Sequence, residues 1–213
     1  MLKLINVATS ETFFYAAIVI FLPISTSTEN CGITPKDDIN VTQLPQVWYE
    51  SFHSHKEILS KIISCQVITN VTPDADGNFE VRETNYYQSG KSPESFTISV
   101  VKSDETATYT GVGDSNYFKA ASRLTLTKYN KDVLTGAVEI GTGKNKVVLV
   151  TDYSTYWIHV FCSSSFSGEN ILVNVYTSKP NPTASDLLRA RIALIDLNVT
   201  VSLEMSVGCS KMK

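Results

Sequence analysis

Little in this 213-residue chain points to metal, nucleotide or nucleic-acid chemistry. It holds three histidines and four cysteines, and no cysteine pair has the C-x-x-C spacing of zinc or redox sites. Lys and Arg number 18 against 21 Asp and Glu, for a net charge of -3. There is no basic stripe to meet a phosphate backbone, so nucleic acid is excluded as a partner. No G-x-S-x-G elbow appears. The "GTGKN" stretch at 141–145 has the wrong first glycine and the wrong last residue for a phosphate loop. "DAD" at 74–76 reads as a solvated hairpin tip before Gly77 rather than a calcium site. "HSH" at 53–55 places two imidazoles two residues apart, on one strand face, but without further ligands it makes no metal site. No catalytic residue, metal or cofactor is assigned. Beyond residue 24 no apolar run is long enough to span a bilayer, so stable membrane insertion is not expected.

What is present begins with a targeting signal. Lys3 precedes the apolar core "FFYAAIVIFLPI" (13–24), and "STSTEN" follows with small and polar residues. A core of that length fits a secretory signal over 1–28 and is short for a transmembrane helix. Residues 29–213 are then one extracellular domain. In an oxidising compartment Cys31, Cys65, Cys162 and Cys209 read as two disulfides, and spacing alone leaves three pairings open. Three sequons, at Asn40, Asn70 and Asn198, suit a secreted glycoprotein.

Short β-rich runs follow, near 47–54, 61–71, 78–87, 95–111, 121–128, 145–152, 156–163 and 170–177. Turn chemistry separates them at "PDADGN", "SGKSP", "GTGKN" and "SFSGEN". Several runs alternate: Phe96, Ile98 and Val100 share one face, as do Leu124 and Leu126. The class is all-β. Eight such strands in sequence predict an up-and-down antiparallel β-barrel, which removes exposed edges and encloses room for a small ligand. "GAVEIG" (136–141) fits either a further strand or a loop. One helix is predicted late, from Asn181 as N-cap and Pro182 as first residue, with Leu188, Ile192 and Ile195, widened by Leu187 and Leu194, packed on the barrel's outside.

Three motifs in this order resemble the lipocalin family, nearest the arthropod members related to apolipoprotein D and the bilin-binding proteins. "LPQVWYE" resembles the first motif, with Trp48 as its tryptophan and Gln46 in place of the motif glycine. "VTDYSTYW" resembles the second, carried by Thr151, Asp152 and Tyr153. "VYTSKP" resembles the third, with Lys179 where the family usually has Arg. The resemblance covers about 31–209. It implies that Trp48 plugs the closed end beneath the Lys179 ammonium. It also implies the pairings Cys31–Cys162 and Cys65–Cys209.

An outward Cys162 would send Trp157, His159 and Phe161 inward, because strand side chains alternate. An outward Cys65 would likewise send Ile62, Ser64, Gln66 and Ile68 inward. Of these, Trp157, His159, Phe161, Gln66, Ile68 and Ile62 form the candidate ligand site. The function implied is extracellular binding and transport of a small hydrophobic molecule: a fatty acid, retinoid, sterol-like molecule or bilin pigment. The alternative is a protein-interaction lipocalin with a vestigial cavity, meeting a receptor or a second copy through loops such as "SDETATYTGVGDSNY" (103–117).

Overall fold

The computed structural model describes residues 32–54, 62–124, 141–162, 171–206 and 208–211. Eight antiparallel strands follow one another: β1 (Val47–Ser54), β2 (Ile63–Pro73), β3 (Phe79–Tyr87), β4 (Glu94–Lys102), β5 (Thr108–Gly113), β6 (Thr142–Thr151), β7 (Tyr156–Cys162) and β8 (Ile171–Thr177). Each pairs with the next. β1 pairs with both β8 and β2, which closes the barrel. The expected all-β, up-and-down barrel is therefore the observed one.

Two predicted strands are corrected. The run 95–111 is two strands, β4 and β5, hinged at Ser103–Ala107, where Ala107 takes a positive φ of 47°. The 103–117 segment is accordingly half strand and not an open loop. The predicted strand 121–128 begins inside a helix, α1 (Ser115–Leu124). Asp114 starts that helix. Its Oδ1 accepts the backbone N–H groups of Asn116 and Tyr117 at 2.9 and 2.8 Å, which satisfies two donors that a helix N-terminus leaves orphaned. Residues 125–140, with most of "GAVEIG", lie outside the described residues.

The outer helix, α2 (Ala184–Asp196), also starts later than predicted. Its N-cap is Thr183, which forms a reciprocal capping box with Asp186. The burying face is shifted to one edge of the expected stripe. Leu194 is buried, with Ala190, against Ile158 and Val160 of β7 and Val173 and Val175 of β8, while Leu188, Ile192 and Ile195 are exposed. Small Ala190 lets the helix approach the sheet closely, and that rotates the larger aliphatic stripe to solvent.

A ninth strand, β9 (Leu203–Met205), pairs with the far half of β1. Only Val47–Tyr49 of β1 pair with β2. Beyond them the two strands part and the C-terminal segment fills the gap. Ser206 donates its backbone N–H to Ser51 and its hydroxyl to the Ser64 carbonyl. The Cys65–Cys209 disulfide pins this patch to the wall. Cys162 is disulfide-bonded as well, but the expected partner, Cys31, lies outside the described residues.

Candidate ligand-binding site

The two ends of the barrel are built differently. At the end where β1 begins, Trp48 is fully buried against Trp157, with ring centroids 5.8 Å apart. Phe79 joins them, 6.1 Å from Trp157 and 5.6 Å from Tyr109. Val41 and Leu44, from the 3-10 turn before β1, complete this plug. Dense aromatic packing leaves no room for a ligand here.

Outside the plug, the turn after β6 is held by its own side chains. The Asp152 Oδ1 accepts N–H groups from Ser154, Thr155 and Tyr156 at 3.1, 2.6 and 3.1 Å. Burial pushes the Asp152 carboxyl up, but these amides together hold it below the usual range. Thr151 accepts the Tyr153 N–H, and the Tyr153 hydroxyl accepts the Asn40 N–H. From α2, the Arg189 guanidinium stands 3.3 Å from the other Asp152 oxygen. The predicted Lys179 cover over Trp48 is corrected by this arrangement. The Lys179 side chain is 63 % exposed and points to Asp186, 3.8 Å away. It leaves β8 in an exposed turn, and Asp186 at the α2 N-terminus draws it outward. The cation–π contact found among the described residues is instead Lys91 over Tyr87.

Toward the other end the barrel opens into a cavity of about 110 Å³. A single water needs about 10–15 Å³ by the same kind of measure, so the space is several times that. Its wall is mainly aliphatic and aromatic, with Phe96, Ile98, Val147, Leu149 and Leu172 prominent. From α1, Tyr117, Ala120 and Ala121 line it too. Tyr117 packs edge-to-face on Phe96 with centroids 5.0 Å apart. Helix α1 lies in the β5–β6 connection and so covers the mouth.

Of the six predicted residues, Trp157, His159, Phe161, Gln66 and Ile68 line this cavity. Ile62 does not, and Ile63 takes its place. The β2–β3 register shifts between Ile63 and Cys65, so strict alternation fails one residue below the disulfide. Ser64, also expected inward, donates its hydroxyl to the Tyr86 carbonyl.

The polar lining is sparse and ordered. The Tyr176 hydroxyl donates to Gln66 Oε1 at 3.2 Å, and Gln66 Nε2 donates to Glu83 Oε1 at 2.9 Å and Asn85 Oδ1 at 3.1 Å. Glu83 and Asn85 were not foreseen. They sit opposite Ile68 and Gln66 in the β2–β3 ladder, so an inward β2 pair implied them. Burial pushes the Glu83 carboxyl up to about 7. Burial drives His159 down to about 3, which keeps it neutral. Three lining residues carry buried atoms with no hydrogen-bond partner among the described residues: Trp157 Nε1, His159 Nε2 and Asn145 Nδ2.

A second buried group lies deeper in the β1 wall. Burial raises the Glu50 carboxyl, opposed by Ser206 and aided by Glu83. His53 lies 3.8 Å from Glu50 and 3.7 Å from Glu204, and burial lowers its pKa. His55 lies outside the described residues, so the "HSH" pair is not tested. Among those described, no His, Cys, Asp and Glu cluster could hold a metal, and no helix is long and apolar enough to cross a membrane.

No known family model and no curated protein matches the sequence significantly. Solved structures do match in shape. The major allergen Per a 4 from cockroaches aligns at 16 % identity and TM-score 0.53, covering 81 % of this chain and 90 % of that one. Lobster apocrustacyanin A1 aligns at 12 % identity and 0.53, covering 82 % and 89 %. The tryptamine complex of the amine-binding protein of Rhodnius prolixus aligns at 17 % identity and 0.54, covering 84 % and 86 %. A closed eight-stranded meander with a plugged end, a covered mouth and one helix outside is the lipocalin fold, and this chain adopts it.

Proposed function

We propose that the protein is a secreted carrier that binds one small, mainly apolar molecule inside its barrel. The observation that carries this reading is the apolar cavity between the aromatic plug and α1. It is lined by five of the six residues singled out in the sequence. Burying a ligand's apolar surface there is worth roughly 25 cal/mol per Å², less the cost of ordering it. One structural neighbour is a complex with tryptamine, which suits a ligand of that size class. Secretion rests on the signal at 1–28 and on two disulfides. The three sequon asparagines, Asn40, Asn70 and Asn198, are all exposed and are the proposed glycan sites.

The test is fluorescence titration of the purified protein with retinol, a fatty acid, biliverdin and small aromatic molecules. Quenching or energy transfer from Trp157 is expected with at least one. Native mass spectrometry of the secreted protein would show a co-purified ligand as added mass. Silence in both measurements would overturn the carrier reading and leave the protein-interaction alternative.

A further inference from the structure

The cavity's polar equipment is chemically one-sided. Glu83 projects from the middle of β3 into an apolar chamber. Its carboxyl is held by the Gln66 amide at 2.9 Å, which Tyr176 orients in turn. Among the described residues no Lys or Arg lines the cavity, and none pairs with Glu83. A buried carboxylate without a cation is costly, and a barrel needing only a filled wall would hold glutamine or leucine there. Among the described residues the surrounding titratable groups supply no positive charge either. Burial raises the Glu50 carboxyl of β1 to about 8 and burial raises the Tyr117 phenol of α1, so neither supplies a cation. His159 of β7 is neutral, and His53 lies beyond Glu50. A second, independent sign of an absent partner is the indole N–H of Trp157, which is 1 % exposed, lines the same cavity and has no hydrogen-bond partner among the described residues.

Resting on the carrier reading, we infer that the ligand is a protonated amine with an aromatic body, whose ammonium pairs with the Glu83 carboxylate while the ring occupies the apolar chamber. Burial raises the Glu83 carboxyl to about 7, so at pH 6 the cavity holds it largely as the neutral acid. Uptake therefore exchanges one proton for one cation: R–NH3+ plus Glu83–COOH gives the ion pair plus H+, and charge balances. Carboxylate ligands are selected against, since each would meet Glu83 with no cation to offset it. An acceptor atom on the ring would pair with the Trp157 N–H.

The test compares three probes of similar size by calorimetry: 2-phenylethylamine, 2-phenylethanol and 3-phenylpropanoate. The amine is expected to bind at least about tenfold tighter than the alcohol, and the propanoate weaker than both. At pH 6, heats in phosphate and in MES buffer should differ by the release of about one proton. Glu83→Gln keeps the side-chain length and should erase the amine's advantage over the alcohol. Its thermal melt would report folding, and the wild-type series stands even if that variant fails to fold. Alcohol binding equal to the amine, or a propanoate preference, would overturn this inference alone. If none of the three binds, nor any ligand of the fluorescence series, this inference and the carrier reading fall together.

Discussion

Tyr117 of α1 stacks edge-to-face on Phe96 of β4, 5.0 Å between ring centroids, and it does so over two glycines. A Cβ built at Gly113 or at Gly141 would overlap the Tyr117 ring. The lining of the mouth thus depends on two positions that carry no side chain.

Gly113→Ala should therefore displace Tyr117 and loosen α1. Overpacking of this kind costs about 1–3 kcal/mol. A urea titration would show the lower midpoint, and faster amide exchange at 115–124 would locate the change. An unchanged midpoint would mean that the helix shifts without cost.

Asp152 should matter far more than its partner Arg189. Asp152→Ala removes an acceptor shared by three backbone N–H groups and should cost about 2–4 kcal/mol, between a lost cap and several orphaned donors. Arg189→Ala, from a side chain 56 % exposed, should cost under about 1 kcal/mol. The folded carboxyl lies below its ordinary value of 3.8. Its contribution is therefore full above that pH and is lost as pH falls through the folded value. Denaturation of both variants at pH 7 and pH 3 checks the order and the sign.

Glu83 should act in the opposite direction. Its pKa rises from 4.5 to about 7 on folding, so the unfolded chain ionises first and stability falls between those values as pH rises. Glu83→Gln should match wild type near pH 4.5 and exceed it by about 1–3 kcal/mol at pH 8. Parallel stability curves for the two proteins across this window would refute the burial of this carboxyl.

Cys209→Ser should free the C-terminal patch. The bridge closes 144 residues, and losing such a crosslink costs about 2–5 kcal/mol. Hydrogen exchange should rise at Ser51–Ser54, the part of β1 that borders β9, before it rises in β6 or β7. Uniform loss of protection would argue against a locally held seam.

Trp48 and Trp157 should respond differently to a bound ligand. Only Trp157 lines the cavity, and Trp48 stays inside the plug. Trp157→Phe should abolish most ligand-induced quenching, while Trp48→Phe retains it and lowers the melting temperature. Emission spectra of the two variants with a bound probe distinguish these roles.

Much of this was legible in local patterns. Strand periodicity gave all but one of the barrel strands within a few residues, and the three motifs gave the barrel's order. Five lining residues followed from alternation. Helix α1 was missed because "SRLTLTKY" alternates at period two over a short window. The counter-signal was also there: Asp114 as a cap, then Tyr117, Ala120, Ala121 and Leu124 at helical spacing. Ile62 was misassigned because a bulge is set by backbone pairing, and composition does not record it.

The sequence by itself determined the all-β class, the burial alternation, the turn chemistry and Trp48 of the plug. All of these depend on neighbours within a few positions. Only the tertiary structure decided that β9 seals a seam in β1, that Arg189 rather than Lys179 reaches the closed end, and that Glu83 stands in the cavity without a cation among the described residues. Those facts join residues tens to more than a hundred positions apart. Such contacts are set by barrel closure and by the close seating of α2 on Ala190, and no local pattern encodes either.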